Sequence, residues 1–461
     1  MNTTRETTGH AMHKNERLEL EALLLERLAG KITLMLTSEE RASAVKGALQ
    51  ELLSGEGKAF AHAVLSSEER NNFIKEFLSY GIIEDLLYDA EIEDIIINAL
   101  KPIYIHHSQK GFIATDKCFG SHKELNNFVQ KMLVFSGRKG YHKIANLELA
   151  NLAGRVNIID SPLGVQLTIT KAKMDPLSII DLIRRGTMSY EAAGQLWLYM
   201  EGMSVRPANI IISGGPGTGK TTLLNALLSF IPPKDRLVVI EDTLELNTFL
   251  EESCSRLETD DELTLSDLVK NSLRMRPERV IVGEVRGAEA RDMITAVNIG
   301  KYCMGTIHAL TARETITRLH NEPMNVPEVL INLIDVFVIL KRYHVGGQLY
   351  RVIDEISETS GDGQRVLLSH VYKYNYEQNR VLSVSPSTVY RDRLAQEAGV
   401  TPRDVINETW IRASVLKVLN DRHVHTIKEV STFCHCYALN PVDAMAKIGL
   451  DRERMLKDLN K

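Results

Sequence analysis

An α/β protein with a parallel sheet covered on both faces is expected here on two observations. Apolar, strand-sized runs at 210–212, 237–241, 280–284, 304–308 and 336–340 alternate with helical stretches, the alternation that builds doubly wound sheets. The first run also delivers Gly214-Gly215-Pro216-Gly217-Thr218-Gly219-Lys220-Thr221 into an apolar helix. That eight-residue pattern, in a strand-loop-helix setting, is a phosphate-binding loop.

Each part of the loop has a physical reason. Glycines let consecutive backbone N–H groups converge on phosphates where side chains would block the approach. Lys220 neutralises the β and γ phosphates, and the Thr221 hydroxyl is placed to ligate Mg²⁺. A helix over 222–231, opening at Thr222, adds its positive end, and Pro232-Pro233 stops it.

The elements before the loop read differently. Over 15–78 Leu18, Leu20, Leu23, Leu24 and Leu28 recur near a 3.6-residue period, so 1–78 is a helical extension. Short alternating strands are expected at 94–98, 103–106 and 112–114, with a turn at Gln109-Lys110-Gly111. A helix over 122–135 and strands at 155–159 and 166–170 complete a small α+β domain, 79–175. His106-His107 reads as decoration on a strand end. A polar connector at 171–176 and a helix near 190–202 lead into the nucleotide domain, 176–380, and helices close the chain over 381–461.

Two acidic strand ends complete the site. Val238-Val239-Ile240-Glu241-Asp242 and Val280-Ile281-Val282-Gly283-Glu284 both end in carboxylates at the carboxyl edge, where a doubly wound sheet binds its ligand. One of Glu241 and Glu284 would activate the attacking water while the other holds Mg²⁺ through a water ligand. Thr221 and Glu284 are the metal candidates, and spacing alone leaves the acid-base labour undivided. His308 ends a further strand and is placed to sense the γ phosphate. Thr311 and Glu314 have capping-box spacing, so a helix starts just beyond it.

Composition bounds the reading. The 461 residues with 44% apolar content support two or three domains with a real core, and a net charge of -5 gives no basic footprint for nucleic acid. Cys118, Cys254, Cys303, Cys434 and Cys436 are odd in number and scattered, which fits a reducing compartment. Cys434-His435-Cys436 reads as thiols on a helix, not as a metal pair. Arg5, Glu6, His10 and Lys14 leave no room for a signal peptide, and no apolar run reaches membrane-helix length. A cytoplasmic chain that meets the membrane only through a partner is expected.

The residues resemble the secretion and pilus-assembly ATPases of the type II and type IV secretion superfamily over about 81–355. Ile240-Glu241-Asp242-Thr243-Leu244-Glu245-Leu246 is similar to that family's Asp box, and Leu273 through Gly287, with Gly283-Glu284 in place of the usual Asp, to its Walker B region. Thr306-Ile307-His308-Ala309 followed by Thr311-Ala312-Arg313-Glu314 resembles its His box. The resemblance implies a RecA-like P-loop NTPase domain behind a small PAS-like domain. It also implies ATP with Mg²⁺, a homo-hexameric ring, and a polytopic inner-membrane platform protein that inserts or extrudes pilin-like subunits. Gly154-Arg155-Val156-Asn157 matches the motif of an N-terminal arginine that reaches the phosphates, so Arg155 is the candidate finger.

The chain departs from the family pattern at Lys301, where a histidine is usual, and at Lys171, where an arginine is usual. The four-cysteine zinc module of some members is absent, which suggests the archaeal-type branch. Two alternatives stand beside the motor: a nucleic-acid motor on the same fold, and an ATP-binding scaffold with little turnover.

Overall fold

The computed structural model describes residues 13–459 apart from 34–35, 56–59, 61–65, 109, 139, 141–142, 149–153, 172–175, 248–249, 251, 261, 346–347 and 361–364. Arg5, Glu6, His10, Gln109 and the interior of the expected connector at 171–176 lie outside the described residues. The chain forms two compact units, Met1–Met174 and Asp175–Lys461.

In the first unit the described residues of the helical stretch include the helices Lys14–Leu28, Ser38–Ser54 and Ser67–Leu78. The second and third start at capping boxes, where Thr37 and Ser66 accept from the N–H groups of Glu40 and Glu69, whose carboxylates reach back. Leu20, Leu24 and Leu28 pack against Leu49, Phe73 and Phe77, so the leucine stripe is a core face. Next to it lies an antiparallel sheet of β1 (Ile92–Asn98), β2 (Tyr104–His107), β3 (Gly111–Ala114), β4 (Ile144–Glu148), β5 (Gly154–Ser161) and β6 (Gly164–Lys171), in the order β3-β2-β1-β6-β5-β4. The edge strand β4, with Ala145 and Leu147 buried, was not among the expected strands. The helix His122–Phe135 forms as expected, capped by Ser121.

Among the described residues the second unit is built on nine strands: β7 (Ile210–Gly214), β8 (Leu237–Glu241), β9 (Cys254–Glu258), β10 (Arg279–Val282), β11 (Tyr302–Ile307), β12 (Val336–Val345), β13 (Gln348–Thr359), β14 (Leu368–Asn375) and β15 (Arg380–Ser383). Their order is β15-β14-β13-β12-β7-β11-β10-β8-β9. From β12 to β9 neighbouring pairs are parallel, while β13, β14 and β15 add an antiparallel flank beyond what strand-helix alternation predicts. The central strands are buried on both faces, which is why they read as unbroken apolar runs. Ile210, Ile212, Val239 and Ile281 face the helices Tyr190–Glu201 and Lys220–Leu228, while Ile211, Val238, Val280 and Val282 face Leu265–Ser272 and Glu289–Asn298.

The C-terminal helices belong to this same core. Helix Pro402–Asp421 crosses helix Tyr190–Glu201 at Gly194, where a Cβ would stand 2.7 Å from the Thr409 carbonyl oxygen. Trp197 stacks on Phe230 with ring centroids 5.1 Å apart and meets Tyr437 at 4.8 Å. Beside them the fully buried Arg412 pairs with Glu201 and with Glu408, which Arg452 reaches at 2.7 Å. Cys434 is buried on the helix Ile427–Leu439, and among the described residues no cluster of His, Cys, Asp and Glu could hold a metal ion. No helix among them is long and apolar enough to cross a membrane.

Candidate functional site

The phosphate loop turns back hard against the sheet. A Cβ at Gly214 would stand 2.5 Å from Thr218 Oγ1 and 2.7 Å from the Leu340 carbonyl oxygen, so only glycine fits there. Gly217 (φ 66°) and Gly219 (φ 94°) take the left-handed backbone the turn demands. Gly219 caps the helix Lys220–Leu228, which starts and ends earlier than the 222–231 expectation. It starts early because the left-handed Gly219 brings Lys220 straight into the helix. It ends early because Phe230 and Ile231 close tight i→i-3 turns ahead of Pro232. Lys220, Thr221 and Thr222 thus occupy the first turn, where N–H groups lack helical partners and the dipole favours an anion.

Lys220 is 8% exposed, and its Nζ donates to the carbonyls of Gly214 and Gly215, both at 3.1 Å. Thr218 braces the same turn through Oγ1 to the Gly215 carbonyl at 2.9 Å. Thr221 and Thr222 are half-buried and Pro216 is exposed. The loop therefore offers converging N–H groups and one ammonium, a donor set that fits a nucleotide polyphosphate.

Strand order decides which carboxylate meets it. β11 lies between β7 and β10, so His308, just past β11, stands between Lys220 and Glu284. His308 Nδ1 is 3.2 Å from Lys220 Nζ, and its Nε2 is 2.9 Å from Glu284 Oε1. An ammonium only donates, so Nδ1 is the acceptor and the imidazole proton sits on Nε2, facing the carboxylate. Burial and the Lys220 charge hold the His308 pKa below its ordinary value, keeping the ring neutral. Burial also lowers the Lys220 pKa, against the pull of Glu284.

Glu284 is held ionised. Burial works to raise its pKa, but the Arg286 hydrogen bond and charge, with the Lys220 charge behind them, bring it below the usual value. Arg286 donates to Glu284 Oε2 at 2.7 Å and reaches Asp242 Oδ2 at 3.6 Å, tying the ends of two strands together. The neighbouring backbone is braced as well. Thr306 Oγ1 donates to the Gly283 carbonyl at 2.7 Å, and Arg318 donates to the His308 carbonyl. Thr311 caps the helix Ala312–His320 that follows.

Glu241 sits elsewhere. β8 is three strands from β7, about 14 Å at ordinary strand spacing, whereas β10 is two. The Glu241 carboxylate is 3% exposed and accepts from the N–H groups of Glu245 and Leu246, each at 3.1 Å. Burial pushes its pKa up to about 7, although those N–H groups favour the charged form. The structure thus brings Lys220, His308 and Glu284 together and sets Glu241 behind them, where it shapes the turn after β8. Arg286 joins the site beyond the expected residues, bridging Glu284 to Asp242; its signal was the Arg two positions past the Glu in Glu284-Val285-Arg286.

The remaining candidates are carried by other elements. Arg155 is exposed on β5 of the first unit. Lys171, at the end of β6, donates to the carbonyls of Leu86 and Asp89 within that unit. Lys301 precedes β11 and so stands at the opposite edge of the sheet from the loop, a strand length or roughly 20 Å away.

A sequence model of the family described as type II/IV secretion system protein matches residues 146–342, a span holding Arg155, the phosphate loop, Glu241, Glu284 and His308. The protein MJ0900 of Methanocaldococcus jannaschii, of no stated function, is 30% identical over 390 residues, covering 79% of this chain and 69% of its own length. The chain belongs to the type II/IV secretion system protein family. A second protein of that organism, MJ1287, is 36% identical over 248 residues, 52% of this chain and 90% of its own. The conjugal transfer protein TrbB of Rhizobium radiobacter is 39% identical over 154 residues, 32% of this chain and 47% of its own. Within this secretion family the match runs from the first unit through the phosphate loop to β12, so the nucleotide-binding elements described above fall inside it.

Proposed function

We propose that the protein is an ATP-hydrolysing motor that powers secretion or pilus assembly. The alignment of Lys220, His308 and Glu284 across the carboxyl edge carries this reading, because it joins a phosphate-binding cation to an ionised carboxylate through a neutral imidazole. When ATP enters, Lys220 exchanges the Gly214 and Gly215 carbonyls for phosphate oxygens. Glu284, already ionised and aimed by Arg286, orients the attacking water and accepts its proton. His308, with its proton on Nε2, reports the presence of the terminal phosphate through the same contacts.

Thr221 would hold Mg²⁺, which when bound neutralises charge developing on the phosphates. Glu241 serves by carrying Asp242 and the turn that follows. Arg155 supplies a finger that stabilises the transferring phosphoryl group. In this reading the working form is a homo-hexamer at the cytoplasmic face of the membrane, acting on a polytopic platform protein. Relatives named for conjugal transfer and type IV secretion support the secretion role.

The test is ATP hydrolysis against protein concentration, with light scattering on the same samples and Glu284→Gln as control. Turnover that rises with a hexamer and vanishes in the variant is expected. A stable, inactive monomer that binds ATP would overturn the motor in favour of a nucleotide-gated scaffold.

A further inference from the structure

β12 pairs with β7 only as far as Leu340 opposite Gly214, and then runs on to Val345 paired with β13 alone. The hairpin therefore projects past the end of β7, alongside the phosphate loop. In its register Arg342 lies directly opposite Arg351. Arg351 Nε donates to the Gly217 carbonyl at 3.0 Å, and a Cβ built at Gly217 would stand 3.0 Å from a terminal nitrogen of Arg342. Both arginines thus lie against the loop itself.

Two features make this placement pointed. Like charges directly opposite in an antiparallel pair repel, and among the described residues neither guanidinium is paired with a carboxylate. Asp354, on the same hairpin, is taken by Lys341 at 2.7 Å and Tyr376 at 2.6 Å. The next cross-strand pair, Tyr343 and Tyr350, points to the other face, where its stacked rings join Tyr374 and Tyr376. That aromatic cluster anchors one side of the hairpin while the other side holds two uncompensated cations over a loop built for phosphate.

We propose that Arg342 and Arg351 form a clamp on the polyphosphate of the nucleotide held by this loop. The inference rests on the nucleotide reading above. A planar guanidinium matches phosphate oxygens bidentately, and Arg351 keeps most of its donors free after serving Gly217. Arg342 contacts the phosphates directly; Arg351 contacts them while also fixing the loop turn. An anion between the two relieves their repulsion, so the clamp favours the more highly charged triphosphate over the diphosphate.

The experiment titrates a fluorescent non-hydrolysable ATP analogue and fluorescent ADP onto the full chain. It compares wild type with Arg342→Ala, Arg351→Ala, Arg342→Lys, Arg351→Lys and Lys220→Ala. Each alanine variant should weaken the triphosphate about ten- to hundredfold, with a smaller loss for ADP, and each lysine variant should recover part of it. Wild-type affinity in both alanine variants, with binding lost in Lys220→Ala, would overturn the clamp and leave the nucleotide site standing. Equal losses for both nucleotides without recovery by lysine would also overturn it, leaving Arg351 as a prop for the loop. If wild type takes up neither nucleotide, the nucleotide reading itself falls and the clamp with it.

Discussion

Glu241 occupies the space beside Gly283: a Cβ there would stand 2.9 Å from Glu241 Cγ. The chain reaches Glu284 only by passing this gap without a side chain, so the two acidic strand ends are coupled sterically as well as by charge. Gly283→Ala should cost about 1–3 kcal/mol of stability by overpacking, measured by urea denaturation. It should also lower ATP turnover by shifting Glu284. Wild-type stability in this variant would show that Glu241 is free to move aside.

The buried Glu241 carboxyl makes stability depend on pH in a definite direction. Its folded pKa, about 7, lies above the unfolded value of 4.5, so between those values the native state keeps a proton that the unfolded chain gives up. Its contribution is full below about pH 4.5 and is lost as the pH rises through 7, a change on the order of 3 kcal/mol. Glu241→Gln should flatten the stability-pH curve over that window relative to wild type. Parallel curves for the two proteins would refute the assignment.

The imidazole between Lys220 and Glu284 should titrate according to both neighbours. Lys220 lowers the His308 pKa and Glu284 raises it. Lys220→Ala should therefore move the His308 titration up and Glu284→Gln should move it down, read by NMR of the ring protons. Shifts in the same direction for both variants would break the three-residue alignment.

Arg155→Ala should leave the fold intact and depress ATP turnover at least tenfold, as expected when a group that stabilises transition-state charge is removed. The nucleotide affinity of the Lys220 loop should be spared. Hydrolysis at the wild-type rate would remove Arg155 from the proposed mechanism.

Arg412 is 2% exposed between Glu201 and Glu408. Arg412→Ala leaves both carboxylates buried without that charge and opens a cavity beneath Trp197, so a loss of about 3–5 kcal/mol is expected. The chemical denaturation midpoint checks this, and a loss under about 1 kcal/mol would mean the carboxylates protonate without penalty.

What the sequence disclosed depended on how local the signal was. The strand, glycine turn and helix around Lys220 are contiguous, so their order could be read directly. So could the Thr311 cap and the helix His122–Phe135. That Glu241 lies one strand farther than Glu284 from the Lys220 loop was not readable, because both end apolar strands in the same way. It arises from β11 and β10 taking the places nearer β7, a long-range choice that no window of residues contains. Arg342 and Arg351 escaped for a different reason. The glycines at 346 and 347 mark a turn, but only the register sets the two arginines opposite each other.

The crossing of the helices at Gly194 bears on the order in which the protein is made. Trp197 and Glu201 leave the ribosome more than two hundred residues before Arg412 and Tyr437, which cover and neutralise them. Until the final helices emerge, the nascent nucleotide unit carries a bare aromatic face and a carboxylate without its counter-charge. Its core closes only once those helices have been made, so a chain released before them should be recognised as unfinished even though its phosphate loop has already been synthesised.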